Sequence, residues 1–389
     1  MRQLKPLTGL RFVAALLVVV HHFGPYVLSP PAYDPLRTLK IVERNVIFTG
    51  MIGVDLFFVL SGFILAYTYL DLCGRLRGTR GQFWIARIAR IYPVYVCIWA
   101  VTAVPFVWLH YPHVVPVLSA ATSLVLTQTW LPFFSADWNP PIWSLSNEAF
   151  FYLLFPLLPI AVARLNRYHL YLAMGTLWAI SLAMPLTYLA VNPHPLGGLW
   201  LAMESNPLFS LPEFLTGVAL GRLYVLARAN GTPTVATRRI RPGSLTSLAL
   251  LGCAVVMITV PWSFGPMYHV SVIPFFALLI YSLARGESRL VSLLSGPAMI
   301  RLGEASYALY VLHWPLWDWV TGIFPAPAPD APARLPFFLA YLGLAIVLSL
   351  LASHLLEQPA RRAIRQAFRG RSRVRPSVAE QVAFGQPPS

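Results

Sequence analysis

TGMIGVDLFFVLSGFILAYTYL, residues 49–70, carries one ionisable side chain, Asp55, in 22 positions. An apolar α-helix needs about 20 residues to cross the ~30 Å hydrocarbon layer of a bilayer. Helix is the form that satisfies every backbone N–H and C=O of such a run without water. Working outward, similar runs recur at about 8–27, 88–109, 143–163, 169–190, 209–227, 245–262, 268–285, 303–323 and 336–356. The pattern predicts an all-α, polytopic transmembrane helix bundle of about ten spans. Composition agrees: 57% of the 389 residues are hydrophobic and 11% charged, whereas a soluble domain carries about 25% charged residues. That deficit leaves too little polar side chain to cover a water-facing surface.

The net charge of +15 does not point to nucleic acid, because the bases sit in short segments between apolar spans, as in cytoplasmic loops. One further run, residues 114–131, is long enough to cross but contains Ser119, Thr122, Ser123, Thr127 and Gln128. Loop charge decides its reading. With the N-terminus inside and 114–131 not crossing, only Arg37, Lys40, Arg44 and Arg334 of the 29 basic residues lie outside, and 25 lie inside. If the run crosses, 20 basic residues face outside, against the positive-inside rule. A re-entrant or interfacial helix at about 114–131 follows, with both termini cytoplasmic. Residues 1–357 are expected to form the membrane domain and 358–389 a basic, then disordered, cytoplasmic tail. Its arginines would lie on anionic headgroups, and its last ~15 residues would be disordered. The first apolar run reads as a retained helix, not a cleaved signal. Cys73, Cys97 and Cys253 are isolated, so neither a disulfide framework nor a metal site is expected.

Ionisable groups at membrane depth are costly and mark functional sites. Here they are Arg11, His22, Asp55, Arg87, Arg90, Glu148, Glu213, His313 and Asp318. Arg11 and His22 are eleven residues apart, hence on one face of the first helix and about 16 Å apart along it; the plainer reading is a snorkelling arginine and a hydrogen-bonded core histidine. Arg87 and Arg90 share a face at the inner surface, where a guanidinium pair suits phosphate or, more plainly, lipid headgroups. His22, Asp55, Glu148 and Glu213 fall at similar depth in the outer half, as if lining one polar cavity. Tyr152 lies one turn beyond Glu148 on the same face. A histidine beside carboxylates is a usual general-base arrangement. His313 lies mid-bilayer, either on the substrate route or as a satisfied core residue.

Several stretches together resemble the acyltransferase 3 family: LTGLRF at 7–12 with His22, GVDLFFVLSGFI at 53–64, RIARIYP at 87–93, and WSLSNE at 143–148 with Phe151 and Tyr152. The order continues with PEF at 212–214 and Gly217, Ser306 and Tyr307 through to HWP at 313–315, and EQP at 357–359 with Arg361 and Arg362. Each is loose alone, but the ordered set is specific and covers nearly the whole chain. The match departs at Asn147, where valine is common. The resemblance implies a membrane-bound O-acyltransferase of the bacterial cytoplasmic (inner) membrane. Such proteins acetylate carbohydrates bound for the cell surface, and sometimes small molecules such as macrolides. The donor would be acyl-CoA, here acetyl-CoA, held through its phosphates by Arg11, Arg87 and Arg90. His22, with Glu148 or Asp55, would be catalytic. Glu213, Tyr152, Tyr307 and His313 would line the substrate route. The expected partners are membrane lipids and a carbohydrate or glycolipid acceptor. No periplasmic hydrolase-like extension of the kind some members carry is expected, and the protein is expected to act with the membrane domain alone or with a separate partner protein.

Two other classes compete. A secondary transporter or flippase also needs a buried polar cavity, but the inverted repeats and paired broken helices usual for such proteins are not visible here. A non-catalytic membrane scaffold has no need of an imidazole and carboxylates at one depth.

Overall fold

The computed structural model describes residues 3–28, 45–110, 113–131, 134, 138–191, 205–229, 243–260, 265–286, 288–328 and 331–369. The principal helices are α1 (Lys5–Leu28), α2 (Ile52–Tyr69), α3 (Arg80–Leu109), α4 (Val114–Leu124), α5 (Trp143–Leu154) and α6 (Arg167–Val191), then α7 (Pro207–Ala229), α8 (Ser244–Thr259), α9 (Gly265–Arg285), α10 (Pro297–Ile323), α11 (Arg334–Ala352) and α12 (Gln358–Arg369). No strand occurs among the described residues, and the bundle is all-α as expected. Residues 192–204 and the tail beyond 369, including its expected disordered end, lie outside them.

Among the described residues, seven helices, not ten, are long and apolar enough to cross a membrane. Each of the other three departs for its own reason. α5 has only 12 residues and gives way to a 3-10 turn at Phe155–Leu157, which contains Pro156. α8 has 16 residues. α10 has 27, but Ser306 and His313 are fully buried in it, with Tyr307 and Tyr310 nearly so. A helix wrapped by other helices need not be apolar, and α10 spends that freedom on polar groups.

The run 114–131 does not form a continuous helix. α4 has 11 residues, about 16 Å at 1.5 Å per residue, half the hydrocarbon thickness. The chain then turns at Leu126, whose φ of 58° is left-handed, into a 3-10 turn at Gln128–Trp130. α4 is held to α3 by Tyr95, whose hydroxyl donates to the Ser123 carbonyl at 2.6 Å, and by the Trp99 indole, which donates to Ala120 at 3.1 Å.

α2 and α7 form the enclosed centre. They cross closely enough that a Cβ on Gly62 would strike the Phe214 carbonyl, and one on Gly217 the Val59 carbonyl. Small residues allow such backbone approach where lipid gives helices no hydrophobic reason to associate. α1 packs on α2 and α10, and α9 packs on α2. α3 begins with a capping box in which Thr79 and Gln82 satisfy each other's backbone N–H, which fixes the first turn ahead of Arg87 and Arg90. Between α11 and α12 the helix widens into a π turn at Ser353–Glu357. Such turns often mark functional positions; this one places Glu357 in the interior, 1% exposed.

Candidate active site

A cavity of about 110 Å³ lies among α1, α2, α3, α5 and α10. Its polar wall holds Arg11, Ser61, Arg87, Arg90, Glu148 and Tyr152; Phe57, Phe58 and Leu65 supply apolar surface. Six of the residues singled out in the sequence thus meet here: Arg11, Arg87, Arg90, Glu148, Tyr152 and Tyr307. Glu148 Oε1 accepts hydrogen bonds from Tyr152 at 2.5 Å and Ser61 at 3.1 Å. Arg87 donates to the Tyr69 hydroxyl at 3.0 Å and stacks its guanidinium over the rings of Tyr69, Phe83 and Tyr152 at 5.3–5.9 Å. Its Nε is buried with no protein acceptor. Arg90 pairs with Glu357. Tyr307 spends its hydroxyl on the Ile91 carbonyl at 2.8 Å and is a wall of the cavity through its ring.

Glu148 does not share the level of His22, as the sequence had suggested; it sits with the arginines. The cause is where α5 begins. Asn139, Pro141 and Ile142 are buried, and Asn139 donates to the Val311 carbonyl at 3.3 Å. The chain therefore turns at the level of His313, inside the bundle, and Glu148 falls roughly 13 Å further along. Asn147, the departure from the family's valine, is fully buried and donates to Ser210 on α7 at 3.3 Å.

His22 meets neither Glu148 nor Asp55. Its Nδ1 lies 3.1 Å from Nε2 of His313, and its ring is stacked on His313 and edge-on to Trp314. His313 is fully buried, with Nδ1 2.6 Å from the Tyr310 carbonyl. Tyr310 connects the two places: it lines the cavity of the arginines, and its ring lies 5.8 Å from that of His313. Its hydroxyl is 2.6 Å from Ser144 Oγ. His21, next in sequence, turns away to the Phe48 carbonyl at 2.7 Å.

Asp55 faces the other side of α2. Its Oδ2 is 2.6 Å from Nδ1 of His269 on α9, and both residues are buried. Glu213 lines the same small cavity, with Ser210. The single outer cavity expected for His22, Asp55, Glu148 and Glu213 is therefore three separate clusters. Sequence reasoning missed His269, whose signal was a histidine at the outer end of an apolar run. It quoted Glu357 without giving it a role, and it passed over Ser61, Tyr69 and Tyr310.

No solved structure shows a significant match to the chain. The family described as Acyltransferase domain matches residues 5–354. Acyltransferase MdmB of Streptomyces mycarofaciens is 30% identical over 330 residues, covering 80% of this chain and 78% of MdmB. SAR0937 of Staphylococcus aureus strain MRSA252, provisionally named an O-acetyltransferase, is 22% identical over 98% of this chain and 61% of its own length. YrhL of Bacillus subtilis strain 168, provisionally named a peptidoglycan O-acetyltransferase, is 26% identical over 88% of this chain and 56% of its own. The chain thus spans little more than half of these last two relatives. The cluster of Arg11, Arg87, Arg90 and Glu148 lies wholly within the matched region, and the chain is an integral membrane O-acyltransferase belonging to the acyltransferase 3 family.

Proposed function

We propose that the protein transfers an acetyl group from cytoplasmic acetyl-CoA to a hydroxyl of an exported carbohydrate. The observation that carries this is the convergence of Arg11, Arg87 and Arg90 on one cavity with apolar walls. Three guanidiniums in a low-dielectric site repel one another. Glu148 and Glu357 offset part of that charge, and an anionic ligand with an apolar arm would offset the rest. Coenzyme A thioesters have that form.

In the proposed reaction the thioester lies in the cavity with its carbonyl toward Tyr310. His22, hydrogen-bonded to His313, takes the proton of the acceptor hydroxyl. The alkoxide oxygen forms a bond to the carbonyl carbon, the C–S bond breaks, and the coenzyme A thiolate leaves. Arginine charge along the route stabilises negative charge on the departing donor. The basic residues gathered at the start of α3 and in α12 support a cytoplasmic donor side. The provisional name of YrhL supports a carbohydrate acceptor.

The test is mass spectrometry of surface glycans from cells with and without the gene, together with coenzyme A release by the purified protein in nanodiscs. Loss of one O-acetyl modification in the deletion strain is expected. Unchanged glycans, together with no acceptor-dependent coenzyme A release, would overturn the reading.

A further inference from the structure

Behind Arg90, away from the central cavity, is a second cavity of about 280 Å³. Its walls carry Arg90 from α3, Glu304 from α10, Glu357 from the π turn, and Arg361, Arg362 and Arg365 from α12. Four guanidiniums thus face two carboxylates. The three arginines of α12 are spaced i, i+1 and i+4, so they share one side of the helix, where like charges three and four residues apart repel. Two observations tie this basic vestibule to the central cavity. Arg90 lines both. At the junction, Glu357 holds Arg90 with one carboxylate oxygen while the other is buried with no partner. A carboxylate with an unsatisfied oxygen, surrounded by arginines, occupies ground where a phosphate would bind more of the available donors.

We infer that this vestibule is a phosphate site, taking the phosphorylated nucleotide end of the donor and releasing Arg90 from Glu357 as it fills. The inference rests on the donor reading above and assigns its parts. The 3′-phosphate meets Arg361, Arg362 and Arg365, the diphosphate lies at Arg90 where the two cavities join, and the arm beyond it carries the acyl group into the central cavity. Planar guanidiniums bind phosphate oxygens bidentately, so phosphate competes with Glu357 for Arg90. The expected basic tail at the membrane surface is, over residues 361–365, part of a cavity wall. A lipid headgroup offers the same phosphate chemistry, and the experiment below separates the two sources.

The experiment uses the full chain in nanodiscs of phosphatidylcholine, with and without phosphatidylglycerol. It compares acetyl-CoA, acetyl-3′-dephospho-CoA and S-acetylpantetheine as donors, and measures binding of coenzyme A itself by calorimetry. Arg361→Ala with Arg365→Ala is expected to raise the KM for acetyl-CoA and the Kd for coenzyme A about tenfold or more, to leave the KM for S-acetylpantetheine unchanged, and to do so in both lipid mixtures. Glu357→Gln is expected to tighten coenzyme A binding several-fold by freeing Arg90. Equal weakening for all three donors, or an effect seen only with phosphatidylglycerol, overturns the proposal. If no thioester is turned over but wild-type protein binds coenzyme A and the double variant does not, the donor reading falls and the phosphate site stands. No binding of coenzyme A to the wild type removes the site.

Discussion

Nε2 of His313 lies 3.1 Å from Nδ1 of His22, and the rest of the network assigns the protons on both rings. A carbonyl only accepts, so His313 Nδ1, 2.6 Å from the Tyr310 carbonyl, carries the hydrogen. Neutral His313 then presents a lone pair at Nε2, and His22 must donate from Nδ1. This leaves the lone pair of His22 on Nε2, the form a general base needs. His313 acts through His22 as a positioning residue. His313→Ala is expected to lower kcat about 10- to 100-fold with little change in donor KM. His313→Gln, which can both donate and accept, should restore a substantial share. Equal losses in the two variants would show that His313 serves packing alone.

Glu148 is the carboxylate set among three guanidiniums, and it holds the Tyr152 hydroxyl at 2.5 Å. Glu148→Gln preserves the shape but removes the charge that offsets the three guanidiniums and holds Tyr152, so a turnover about tenfold or more lower is expected. Tyr152→Phe removes one hydrogen bond to a charged group, of order 1.5–3 kcal/mol, and should cost roughly tenfold or more. Steady-state rates on protein of unchanged elution profile measure both. Turnover by the glutamine variant within twofold of wild type would remove Glu148 from the reaction.

Arg87 stacks against three aromatic rings while its Nε is buried with no protein acceptor. The rings hold a fork-shaped donor in place. Arg87→Ala is expected to raise donor KM about tenfold or more and leave acceptor KM unchanged. Arg87→Lys should not restore it, because an ammonium neither stacks nor donates from a planar fork. An acceptor KM that rises with the donor KM would contradict a donor-side role.

What the sequence makes legible follows from local periodicity. Arg11, Arg87 and Arg90 lie on long apolar helices, and their positions along those helices are set by counting residues, so their meeting is foreseeable. Glu148 is misplaced by the same counting because α5 starts from a buried turn at Asn139, and a tertiary contact to Val311 fixes that start. Asp55 and Ser61 share α2 but face different cavities. Which neighbour each face meets depends on the close crossing at Gly62 and Gly217, a property of two segments 155 residues apart. The basic character of residues 361–365 is plain in the sequence, whereas their approach to Arg90 depends on the π turn at Ser353–Glu357.

The Asp55–His269 contact at 2.6 Å separates two roles for Asp55. Its carboxylate is buried against α9 on a face of α2 that the arginine cavity does not touch, so its measurable contribution should be to the fold. Removing one partner of a buried hydrogen bond and leaving the other unsatisfied costs on the order of 1–3 kcal/mol. Asp55→Asn is therefore expected to lower the melting temperature of the detergent-solubilised protein clearly. Among molecules that remain folded, kcat should stay within about fivefold of wild type, since His22 already has its partner in His313. His269→Asn tests the same contact from the other side, and the two changes combined should cost less than the sum of each alone, as contacting residues do. A loss of kcat above about 100-fold in Asp55→Asn at unchanged thermal stability would return Asp55 to the chemistry, and would mean that the cavity it shares with Glu213 opens to substrate.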